Sequence, residues 1–115
     1  MVRLVYTCEH GGNFIPDDFA TCFENAENDI DSHKGIDFGA LTVYHDFVST
    51  NSDFSIYSET CRLLVDLNRS LNSPTLFSEY TQQLPIDVKE KILTDYYYPY
   101  HELVKQKVHD FYFLW

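Results

Sequence analysis

The 115-residue chain is long enough for one domain with a moderate core, and its 44% hydrophobic and 17% aromatic content is a globular composition, not a disordered one. Eight Lys and Arg against 18 Asp and Glu give a net charge of −10, which argues against a nucleic-acid partner because phosphate backbones are held by basic patches. No apolar run approaches a membrane span, and no basic stretch followed by a long apolar one marks a signal peptide.

The cysteines Cys8, Cys22 and Cys61 are odd in number and show no CxxC spacing. That pattern argues against a disulfide framework and for reduced thiols, so a soluble cytoplasmic protein is expected.

In chain order, residues 3–8 read as a first strand centred on Leu4, Val5 and Tyr6. Glu9-His10-Gly11-Gly12-Asn13 ends it, with paired glycines that let the backbone turn tightly and a ligand approach. A short helix is predicted from Pro16, with Phe19 and Phe23 on one face, followed by an acidic surface loop over 25–32. The next helix is predicted to end near Val48, with Leu41, Tyr44 and Val48 at i, i+3 and i+7. Residues 54–57 read as a short strand.

The stretch Cys61-Arg62-Leu63-Leu64-Val65-Asp66-Leu67-Asn68-Arg69 reads as a buried strand over 61–65 that ends in polar residues. Arg62 and Arg69, an odd number apart, reach one site only if the chain turns near Asp66. Polar residues where a parallel strand ends commonly form a ligand site, and an arginine fork suits a carboxylate. A structural ion pair between Asp66 and an arginine is the other reading.

Residues 72–85 read as a long loop of the lid or binding kind. The longest helix is predicted from Pro85 to about His109, with Pro99 kinking or splitting it. Within it, Tyr96-Tyr97-Tyr98-Pro99-Tyr100-His101 either packs the kinked helix or turns Tyr100 or His101 towards a pocket. The apolar run Phe111-Tyr112-Phe113-Leu114-Trp115 reads as the start of a central strand. It is expected to continue in a longer chain or to be buried against a partner, including a homodimer formed through this segment.

Glu9, His10 and Asn13 lie within five residues, and a metal pattern with a donor three after a His places the neutral Asn13 there. His33 and Asp37, four apart, form a second His/carboxylate pair at a helix start. The candidate metal donors are therefore His10, Asn13 and Asp37, while each His alone is also compatible with a loop or cap role. No GxSxG, Walker loop, GxGxxG or zinc-finger spacing is present, and nothing marks Cys8 or Cys61 as an activated nucleophile.

Four ordered segments resemble the N-formylglutamate amidohydrolase family. They are Glu9-His10-Gly11-Gly12-Asn13-Phe14-Ile15-Pro16, then His33 with Asp37-Phe38-Gly39-Ala40, then 61–69, then Tyr98-Pro99-Tyr100-His101. The resemblance covers most of the chain as the N-terminal half of one such domain. It implies an α/β fold, a three-layer α/β/α arrangement with a mostly parallel mixed sheet of the phosphorylase/hydrolase kind, related more distantly to zinc carboxypeptidases and aspartoacylases.

It also implies metal-dependent hydrolysis of the acyl-amide bond of a small-molecule N-acylated acidic amino acid, with a divalent metal such as zinc as cofactor. By that resemblance His10 is a metal ligand, and Asp37 is a ligand or its supporting partner. Arg62 polarises the amide carbonyl and stabilises the oxyanion. Asn68 and Arg69 hold the substrate carboxylate. The related carboxypeptidase pattern has Glu where this chain has Asn13. A further metal-binding His and a water-activating carboxylate are expected beyond the strand near Phe111. The alternative expectation is a non-catalytic carboxylate-binding or interaction module derived from the same fold.

Overall fold

A computed structural model describes residues 2–112 of the chain. Strand β1 (Val5–Cys8) is followed by a 3-10 helix (Asp17–Phe23), α1 (Glu27–Ile30), α2 (Ala40–Thr50) and β2 (Phe54–Tyr57). A continuous helical stretch closes the described chain as α3 (Ile86–Ile92), a π turn (Leu93–Tyr97) and α4 (Tyr98–Tyr112). The result is an α/β protein with a small parallel sheet.

β1 and β2 pair in parallel, Val5 opposite Phe54 and Cys8 opposite Tyr57. Parallel neighbours need a crossover, and α2 supplies the helix that packs on β1, stacking Phe47 on Tyr6 at 5.5 Å between ring centroids. The helix starts at Gly39, whose φ of +81° is a conformation that residues with a Cβ rarely adopt. Tyr44 is its buried residue, with Leu41 and Val48 half-buried beside it, as the spacing predicts. The predicted acidic loop over 25–32 contains the one-turn helix α1.

Beyond the strands the two chains continue side by side. Gly11 N–H donates to Ser58 C=O at 3.0 Å, Phe14 N–H to Glu59 C=O at 2.9 Å, and Cys61 N–H to Phe14 C=O at 2.8 Å. Gly12 lies flat on Glu59, where an added Cβ would stand 2.6 Å from the Glu59 carbonyl oxygen. This close approach accounts for the paired glycines.

Residues 61–65 do not form the predicted strand. Only Thr60 makes a bridge, to Phe14, and the chain turns at once over 62–64. The segment is buried as its apolar run predicts, Leu64 and Val65 being 0% and 1% exposed. Their backbone groups find partners other than a strand ladder. Thr81 Oγ1 donates to Leu64 C=O at 3.1 Å, and Asp66 N–H donates to Leu76 C=O at 2.8 Å. The segment over 72–85 thus folds as turns that close the core, rather than as a free lid.

That core joins Phe19 and Phe23 of the 3-10 helix to Leu64, Leu76, Ile92 and Tyr97. Pro99 does not split the long helix. Tyr98 N–H reaches back five residues to Leu93 C=O, so the helix widens into a π turn just before the proline. Widening there relieves the clash that a proline ring makes with the carbonyl four residues earlier. Phe111 and Tyr112 end α4 instead of opening a strand. Phe113, Leu114 and Trp115 lie outside the described residues. No helix among the described residues is long and apolar enough to cross a membrane.

Candidate active site

His10 leaves the end of β1 and is 5% exposed. Its two ring nitrogens face two carboxylates, Nδ1 lying 3.2 Å from Asp37 Oδ2 and Nε2 lying 2.7 Å from Asp66 Oδ1. The Asp37 corner is held in place by its backbone, with Asp37 N–H donating to His10 C=O at 3.1 Å. Arg62 closes a ring of charges, donating through one terminal nitrogen to Asp37 at 3.1 Å and through the other to Asp66 at 3.3 Å. Arg69 Nε approaches Asp66 at 3.8 Å. The early turn over 62–64 is what brings both arginines to one carboxylate.

Asp66 is the hub of this arrangement. Its oxygens accept from His10, Arg62 and the Asn68 backbone N–H, the last at 2.9 Å. Burial opposes its charge, but the His10 hydrogen bond and the Asn68 N–H outweigh burial and hold the Asp66 carboxyl below its ordinary value. Burial likewise opposes a charged His10, but the hydrogen bond and charge of Asp66 prevail and raise the imidazole.

The expected residues are only partly brought together. His10, Asp37 and Asn68 line a cleft of about 590 Å³, walled on its apolar side by Tyr6, Val43 and Phe47. Asn68 and Arg69 share a second cleft of about 450 Å³ with Tyr97, Tyr100 and His101. Arg62, Asp66 and Arg69 line a third, together with His33 and Lys34. The arginines and the His10–Asp37 pair therefore open onto different clefts, joined through Asn68 and Asp66.

Asn13 stands apart from this cluster. Its side-chain amide donates to Ile30 C=O at 3.1 Å and to Asp31 Oδ1 at 3.3 Å, fastening the glycine turn to the end of α1. His33 is exposed beside Lys34. Sequence reasoning ranked Asp66 only as an ion-pair partner, yet a signal was present. A carboxylate inside Leu64-Val65-Asp66-Leu67 is a charge in an apolar run, and buried charges are kept only with partners.

The donor chemistry of His10 and Asp37 fits a divalent cation in part. A carbonyl or carboxylate can only accept, so an imidazole holding its proton on Nε2 for Asp66 turns a lone pair towards the Asp37 oxygen. Two facing acceptors 3.2 Å apart need a proton or a cation between them. A histidine whose far nitrogen is held by a carboxylate is the usual state of a metal-ligating imidazole. Among the described residues no group of three or more His, Cys, Asp or Glu is placed to hold a metal. Cys8 and Cys61 are buried free thiols whose pKa values are raised by that burial, so neither is an activated nucleophile.

A family model of N-formylglutamate amidohydrolase matches residues 2–112. The chain belongs to this family. No curated protein matches it. Among solved structures, that of gene product Atu2144 from Agrobacterium tumefaciens superposes with a TM-score of 0.78 at 24% identity, covering 93% of this chain and 45% of that one. The chain thus spans about half the length of that structural relative, a likeness that speaks for the fold.

Proposed function

We propose that this chain carries part of the site of a metal-dependent amidohydrolase, a three-layer α/β/α enzyme when whole, that cleaves the acyl-amide bond of an N-acylated acidic amino acid. The observation that supports this most is His10 held between Asp66 and Asp37 at the end of β1. Asp66 fixes the ring and its tautomer, leaving Nδ1 and the Asp37 carboxylate as a two-donor half site. A divalent cation such as zinc, bound by these residues and a donor beyond them, would polarise the acyl carbonyl and acidify a bound water.

The chain's own residues do the rest. Arg62, gripping both carboxylates, places a positive charge beside the half site, where it favours the oxyanion that forms as the amide carbonyl is attacked. Asn68 and Arg69 are exposed neighbours lining one cleft, and they hold the substrate carboxylate, the arginine through paired N–H donors. Turnover of N-formyl-L-glutamate by the whole protein with added zinc is the test. Arg62→Ala is expected to lower kcat/KM by about a hundredfold or more, and equal turnover by the variant would sink the reading.

The second reading is a carboxylate-binding module without catalysis. It is favoured by the closed ring of His10, Asp37, Arg62 and Asp66, in which the cationic side chains already neutralise both carboxylates. Under it, a chelator leaves L-glutamate affinity unchanged.

A further inference from the structure

One turn of the long helix touches both halves of the candidate site. Tyr97 Oη donates to the backbone carbonyl of Arg69 at 2.7 Å. His101 Nε2 lies 2.7 Å from the carbonyl of Leu67, and because a carbonyl only accepts, that nitrogen carries the proton. Tyr100 Oη donates to Glu9 Oε2 at 2.6 Å, on the residue beside His10. The Tyr97 and His101 rings, four residues apart, stack with centroids 4.1 Å apart and planes 21° from parallel.

The two gripped carbonyls flank Asn68. Asp66 in turn accepts the Asn68 N–H at 2.9 Å and the Arg69 N–H at 3.1 Å, the first through its side chain and the second through its carbonyl. A segment whose side chains are exposed is thus fixed along its backbone by donors from the helix and by acceptors on Asp66. Mere folding of a surface loop does not demand two buried or half-buried aromatic donors aimed at successive turns of its backbone. Holding a pair of polar side chains ready for a ligand does, because ordering them in advance removes that entropy cost from binding.

We infer that Tyr97 and His101 are positioning residues that hold Asn68 and Arg69 in their ligand-binding arrangement, with Tyr100 tying the same helical turn to the His10 end of the site. The inference deepens the proposed function by adding residues that act through the carboxylate-holding pair and touch no substrate themselves. The π turn serves it directly, because the widening at Leu93–Tyr97 sets the rotation at which Tyr97, Tyr100 and His101 leave the helix.

The test compares the wild-type chain with Tyr97→Phe, which removes one oxygen and keeps the stacked ring, and with His101→Phe and His101→Gln. Amide hydrogen exchange is read first, without ligand. Tyr97→Phe and His101→Phe are expected to speed exchange at Asn68 and Arg69 by about tenfold, the loss of one hydrogen bond of ordinary net strength. Val5–Cys8 should keep its protection, and His101→Gln, which retains a donor, should recover part of the loss. Unchanged exchange at Asn68 and Arg69, or equal acceleration in β1, overturns the inference.

L-Glutamate titration is read second, as a carboxylate probe. Weaker binding in Tyr97→Phe by a similar factor supports the positioning role, and unchanged affinity despite a loosened segment overturns it. A wild-type chain that binds no L-glutamate overturns the carboxylate-holding role of Asn68 and Arg69 instead, and the exchange data alone then decide whether the helix clasps that segment. Should His101→Phe fail to fold, Tyr97→Phe carries both measurements.

Discussion

Around Leu64, Val65, Thr81 and Ile92 almost no side-chain surface reaches solvent, whereas across the sheet Val43 and Phe47 of α2 and Tyr57 of β2 remain between 43% and 53% exposed. The first region is a closed apolar core between the 3-10 helix, the turns over 62–81 and the long helix. The second is a two-stranded sheet with one helix on it, and such a small sheet is marginal by itself. The candidate site lies on the seam. His10 comes from the thin side and Asp66 from the packed one, so the ion pair between them ties a weakly buried strand to a strongly buried core.

Three substitutions break or sharpen that contrast. Ile92→Ala in the closed core is expected to cost about 4 kcal/mol, because a fully buried side chain leaves a cavity that its neighbours cannot fill. Urea unfolding followed by circular dichroism measures it, and a cost below about 1 kcal/mol would show that this region is not the main core.

Asp66→Asn acts at the seam and is expected to cost about 3 kcal/mol, since it takes from His10 and Arg62 the buried one of their two shared carboxylates and leaves only the half-exposed Asp37. The pH dependence of metal-free protein reports the same pair. The pKa of His10 lies above its ordinary 6.5, so its contribution is complete below that pH and is lost as pH rises through the folded value. Asp66 lies below its ordinary 3.8, so its contribution is complete above that pH and is lost as pH falls through the folded value. Stability from the pair therefore peaks between these two limits, and Asp66→Asn should flatten the profile on both sides. A wild-type urea midpoint that rises steadily from pH 6 to about 9 would contradict a raised His10.

The smallest effect is expected on the thin side. Val43→Ala removes two methyl groups from a side chain 51% exposed and should change stability by no more than about 0.5 kcal/mol. A loss as large as that of Ile92→Ala would mean that the α2 face is packed in solution, against a partner or a further part of the fold.

The same contrast governs what was legible in the sequence. β1, β2, α2 and the helix from residue 86 follow their hydrophobic periods, and all appear close to where pattern places them. His10, Asp37, Asn68 and Arg69 were likewise readable as polar groups at element ends, and Arg62 as a charge flanking an apolar run. The segment over 61–65 was not, because apolar periodicity reports burial and is silent on where backbone hydrogen bonds go. Thr81 and Leu76, well further along the chain, satisfy the backbone of Leu64 and Asp66, a pairing no local pattern encodes. Spacing alone makes Asn13 a metal donor beside His10, and it could not show that the Asn13 amide donates to the Ile30 carbonyl in the tertiary fold. The clasp by Tyr97 and His101 was hidden for a related reason, since an aromatic run fits core packing equally well until the helix's rotation is known.

One residue of chain length lets the long helix run past Pro99. A π turn holds one more residue than the α-turn it replaces. Deleting one residue between Leu93 and Tyr97 would return this turn to α geometry, and the ring of Pro99 would then press on the carbonyl four residues before it. The helix would have to bend at the very turn from which Tyr97, Tyr100 and His101 reach Arg69, Glu9 and Leu67. Slack in one turn is therefore what allows a proline and a three-point aromatic grip to share the same stretch of helix.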